Sequence, residues 1–69
     1  MATMFTNTVS MDRYNAAVRS MGDWAANTSA DLVRSWQRYG SLTPKQASLL
    51  EKLVAEAEAR AWVAAQVHA

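Results

Sequence analysis

Cysteine is absent from this 69-residue chain, so neither a disulfide nor a thiolate metal site can hold it together. Glycine occurs only as Gly22 and Gly40, which excludes a glycine-rich phosphate cradle. The single histidine, His68, stands one residue from the end, where chains fray. Without another histidine or a cysteine, no nucleophile–base pair can be assembled, and no spacing suits a metal. Charge of one sign is lacking too. Seven basic and six acidic residues leave a formal net charge of +1, too little to steer a strongly charged partner. No apolar run approaches the ~18 residues of a membrane span. The opening Met1-Ala2-Thr3-Met4-Phe5-Thr6 has neither a basic stretch nor an apolar core of the secretory kind. A cytoplasmic, non-enzymatic protein that needs no cofactor and no membrane is the expectation.

What is present is apolar and helical. Apolar residues make up 51% of the chain, but 14 of the 35 are alanine, which buries little area. Chains this short bury only about 60% of their unfolded surface. The larger set is Phe5, three tryptophans, two tyrosines, five leucines, six valines and four methionines, enough for one small core. The fold class expected is therefore all-α: one three-helix domain over 11–69, with a long C-terminal helix. Residues 1–10 are Thr/Asn-rich and show no helical period. They read as a flexible arm, frayed or folded back over the core.

Met11, Tyr14, Val18, Met21 and Ala25 recur at 3-4-3-4 spacing, which predicts a first helix over 11–26. Gly22 is its weak point, costing up to ~1 kcal/mol relative to alanine. The capping residues Asn27-Thr28-Ser29 would separate it from a second helix over 30–39, on which Leu32, Trp36 and Tyr39 share a face. Gly40 then suits the left-handed position past a helix C-terminus. Thr43 can cap the next helix, Pro44 fits its first position, and Gln46 completes a capping box. The third helix runs from Pro44 to about His68. Its stripe of Ala47, Leu50, Leu53, Val54, Ala57, Ala61 and Ala64 changes from Leu/Val to alanine along its length. Glu56 and Arg60 are spaced for an i,i+4 pair.

Few residues point to function. Glu51 and Glu58 align on the third helix and Glu56 does not, so solvated surface suits them better than paired-carboxylate chemistry. Arg34 and Arg38 stand four apart on the second helix, with Lys45 shortly after, and form a small basic patch for a nucleic-acid or acidic partner. The turn at Gly40 resembles that of a DNA-reading helix-turn-helix. Trp36 is too large for such a crossing, however, and the next helix is neutral, where a reader brings basic and amide groups. Trp24 lies at the edge of its stripe. Trp62 lies about 120° from Leu50, on the polar side with Glu51, Ala55 and Glu58. Either the arm covers it or a partner does, since Trp and Arg are enriched in binding hot spots.

The stretch Trp36-Gln37-Arg38-Tyr39-Gly40-Ser41-Leu42-Thr43-Pro44-Lys45-Gln46, continued by Leu49, Leu50 and Leu53, resembles a helical module of phage-encoded proteins. In that module an aromatic residue precedes Gly-x-Leu-Thr/Ser-x-Lys-Gln and a Leu-rich helix. Size and Ala/Arg/Trp-rich style are also similar to small phage inhibitors of host RNA polymerase. The resemblance implies a protein that binds a host machine and inhibits or reprograms it, the transcription apparatus first and a CRISPR or other defence complex second. The partner-binding residues expected are Trp62, Arg34, Arg38, Glu58 and Lys45. Two other readings are a nucleic-acid-associated module using the basic face, and a homodimer joined through Ala57, Ala61 and Ala64.

Overall fold

The computed structural model describes residues 3–67. Three helices form: α1 (Met11–Val18), α2 (Asp23–Tyr39) and α3 (Pro44–Val67). No strand is present among the described residues, only one isolated antiparallel bridge, Met4 to Ser10. The all-α, three-helix class read from the sequence is what is found. The expected end of the third helix at His68 lies outside the described residues.

The first break differs from the sequence reading. Ser10 caps α1 by accepting the Arg13 N–H on its hydroxyl at 3.1 Å. The helix closes after Val18 in tight turns, Ser20 N–H to Ala17 O and Met21 N–H to Val18 O. Gly22 becomes the N-cap of α2, and Asp23 adds a carboxylate to its first turn. The helix then runs straight through Asn27-Thr28-Ser29. Ser29 tolerates the helix interior because its hydroxyl is satisfied there. It donates to the Ala26 carbonyl at 3.1 Å and meets the Tyr14 hydroxyl at 3.1 Å, with Met21 Sδ at 3.3 Å. A residue type that favours caps is used here as a buried polar tie, and Ser29 is fully buried.

The second break is as expected. Gly40 takes φ 78°, and its N–H reaches the Trp36 carbonyl at 2.7 Å. Thr43 Oγ1 accepts the Gln46 N–H at 3.2 Å, and Gln46 Oε1 accepts the Thr43 N–H at 3.0 Å, a complete capping box. Leu42 packs against the core. At about 1.5 Å per residue, the 24 residues of α3 span roughly 36 Å.

The arm is not frayed over residues 3–10. Phe5 N–H bonds the Val9 carbonyl at 2.9 Å, Met11 N–H bonds the Thr3 carbonyl at 2.8 Å, and Thr6 Oγ1 accepts the Val9 N–H at 2.9 Å. This tight loop turns Phe5 and Val9 inward, where both are buried. Phe5 meets Tyr14 and Trp36 edge-on, with ring centroids 5.8 and 5.1 Å apart. Leu32, Leu50, Leu53, Val54, Ala17 and Ala57 complete the core. Of the two readings of the arm, frayed or folded back over the core, the second is what is found over residues 3–10. Phe5 and Val9 are too few to make a periodic stripe, and their burial depends on partners distant in sequence.

Candidate functional site

The core uses α3 only as far as Ala57. Every residue from Glu58 to Val67 is exposed, about 15 Å of helix. The α1–α2 junction reaches α3 at Arg60: a Cβ built on Gly22 would lie 3.6 Å from Arg60 Nη1. Beyond that point α3 outruns its hairpin partner. Residues 61–67 carry no charge and include three large exposed apolar side chains, Trp62 (66% exposed), Val63 (53%) and Val67 (73%). Val63 and Val67 are one turn apart and share a face. Trp62 points elsewhere, one turn past Glu58.

Of the expected site residues, Trp62 is thus free. The arm does not cover it; the arm's Phe5 packs on Trp36 and Tyr14 instead. Glu58 is held within the fold. Its carboxylate accepts two hydrogen bonds from the Arg13 guanidinium, from Nε at 2.8 Å and Nη2 at 2.6 Å. Arg13 Nη1 also donates to the Thr8 carbonyl at 2.8 Å, so one guanidinium joins α1, the arm and α3. The Arg13 hydrogen bonds hold the Glu58 carboxyl below its ordinary value against the opposing effect of desolvation. The same pair raises Arg13.

Arg34 and Arg38 are both exposed on α2. Arg34 is paired with Asp31 at 3.1 Å, which offsets its charge, and Arg38 stacks 5.4 Å from the Tyr39 ring centroid. Tyr39, expected on the core face, is 71% exposed. Lys45 is exposed at the start of α3, 17 residues and so about 25 Å along the helix from Trp62. Trp62 therefore stands at one end of the hairpin, with Arg38 and Lys45 at the other. The five residues do not form one surface. The Ala57-Ala61-Ala64 seam is interrupted as well, because Ala57 is consumed by the core while Ala61 and Ala64 are exposed. Glu56 and Arg60 form no ion pair; among the described residues the ion pairs are Arg13–Glu58 and Arg34–Asp31.

No group of His, Cys, Asp and Glu among the described residues could hold a metal. No described helix is long and apolar enough to cross a membrane. A cleft of about 380 Å³ lies between the arm and the α2–α3 turn, lined by Phe5, Trp36, Leu42 and Glu51 among others. Sequence reading missed this cleft and the role of Arg13, because both join residues about 45 positions apart. Val63 and Val67 did leave a signal, an i,i+4 apolar pair outside the core stripe. No family model, curated protein or solved structure matches the chain.

Proposed function

We propose that this chain is a non-enzymatic protein that docks a protein partner through the projecting end of α3. The observation that carries this is Trp62, two-thirds exposed on an uncharged stretch of helix that no other element covers. Isolated surface apolar residues are ordinary. Here three occur within six residues, on a helix continued nearly three turns past its last core residue, Ala57. Burying such side chains against a partner is worth about 25 cal/mol per Å², and tryptophan is the residue type most enriched at hot spots.

The resemblance of residues 36–46 to phage-encoded helical modules supplies the partner class. The host transcription apparatus stands first, a defence complex second, and the site of action is the host cytoplasm. On this reading the protein inhibits or redirects the machine it binds. Capture from host lysate with wild type and Trp62→Ala side by side tests it. A protein complex held by wild type and lost by the variant supports the reading. Recovery of nucleic acid with no protein complex defeats it.

The nucleic-acid reading has less support, since Arg34 is already paired with Asp31. It expects binding that weakens steeply with salt and falls in the Arg34→Ala, Arg38→Ala double variant.

A further inference from the structure

The cleft beside the arm holds one carboxylate, whose charge also reaches the Arg13 guanidinium outside it. Glu51 stands on its rim, and its Oε2 accepts hydroxyl hydrogen bonds from Thr6, at 3.2 Å, and from Thr8. Both fall on one oxygen, leaving Oε1 without a hydrogen bond among the described residues. Glu51 has no ion-pair partner among them either. Gly40 and Ser41 bring the C-terminal end of α2 to the same cleft, and the last carbonyls of a helix carry its partial negative charge. Half-buried Trp36 supplies an aromatic ring, whose face is negative, backed by the buried Phe5. No basic side chain lines the cleft.

The Glu51 carboxylate, the C-terminal end of α2 and the Trp36 ring favour a cation, and they outweigh the partial positive charge that the first turn of α3 brings to the cleft at Ala47. The apolar groups, Leu42 and Ala47 with the two rings, favour a stem attached to that cation. A volume of about 380 Å³ falls within the range of small-ligand sites. The threonine bonds hold Glu51 in place, so little ordering is required on binding. We propose that this cleft binds an arginine side chain presented by a protein partner. The planar guanidinium matches a carboxylate edge and stacks on aromatic rings, which a lysine ammonium does less well. This goes beyond the docking role of α3 and is separable from it, because a small probe tests it with no partner present.

The test is a ¹⁵N NMR titration of the whole chain with N-acetyl-arginine methylamide at constant ionic strength. The uncharged citrulline analogue is the control. Saturable shifts are expected at Thr6, the Trp36 indole, Gly40 and Glu51, with a Kd in the millimolar range typical of so small a ligand, and the citrulline analogue should bind at least about tenfold more weakly. Glu51→Gln keeps an acceptor for both threonines while removing the charge, and should weaken the arginine probe by about tenfold. Ala47→Leu adds bulk to the lining of the cleft from a half-buried position on the first turn of α3 and should abolish binding with Glu51 intact. If Glu51→Gln disturbs the arm, Ala47→Leu decides. Equal binding of the two probes, unchanged affinity in both variants, shifts confined to another surface, or no saturable shift would each overturn the proposal.

Discussion

Phe5→Ala is the sharpest test of the fold, because it asks whether the N-terminal loop belongs to the core. Phe5 is 6% exposed and makes edge contacts to Tyr14 and Trp36. Truncating a buried phenylalanine costs about 3–5 kcal/mol. A 69-residue domain at 0.05–0.15 kcal/mol per residue has roughly 3–10 kcal/mol in all. The variant should therefore be close to unfolding. Phe5→Leu keeps most of the burial and loses the two aromatic contacts, at about 0.5–1.5 kcal/mol each, so a loss of about 1–3 kcal/mol is expected. Urea unfolding followed by circular dichroism measures both, with the midpoint reporting stability and the slope confirming that the same surface is exposed. If Phe5→Ala lost less than about 0.5 kcal/mol, the loop would not be core, and the reasoning from Phe5 and Val9 would fail.

Further outcomes are expected at the turns and at the Arg13–Glu58 pair. Gly40→Ala should cost about 1–2 kcal/mol in the same urea assay, from backbone strain at φ 78° alone, since nothing lies within 4 Å of a Cβ there. Gly22→Ser should stabilise by a few tenths of a kcal/mol, because a serine can cap α2 and the added Cβ meets only Arg60 at ordinary contact distance. The Glu58 carboxyl binds a proton less readily folded than unfolded. Its contribution is therefore complete above the unfolded value of about 4.3 and is lost as pH falls through the lower folded value. Thermal unfolding from pH 7 to pH 3 should show a decline that is shallower in Glu58→Gln; identical pH dependence in the two proteins would contradict the assignment.

The helix class, the second turn and the start of α3 were legible because each rests on local chemistry. Gly40, Thr43, Pro44 and Gln46 act on backbone groups within four residues of themselves. The first break was misplaced because Ser29 has two competing uses. Read locally it is a cap; in the fold its hydroxyl is satisfied by Tyr14, 15 residues away. The arm was half legible: folding back over the core was one of two readings, and the choice rested on Phe5 and Val9, which are buried by partners distant in sequence. At the candidate site, helical periodicity put Trp62 outside the core stripe correctly. It did not reveal that Glu58, one turn earlier, is bound by Arg13, or that Trp62 is far from Lys45. Periodicity gives the direction a side chain takes from its own helix, and the other elements decide what waits there.

The most direct test of the central claim measures stability and binding together on Trp62→Ala. Trp62 is two-thirds exposed and lies past the last core residue of α3, and alanine is the better helix former, so the midpoint of unfolding should hold or rise slightly. Affinity for the captured partner complex should fall by at least ~2 kcal/mol, about thirtyfold in Kd. Full affinity in a stable Trp62→Ala protein would contradict the claim that the projecting end of α3 is the docking surface. A large loss of stability would contradict it equally, by placing Trp62 in the core.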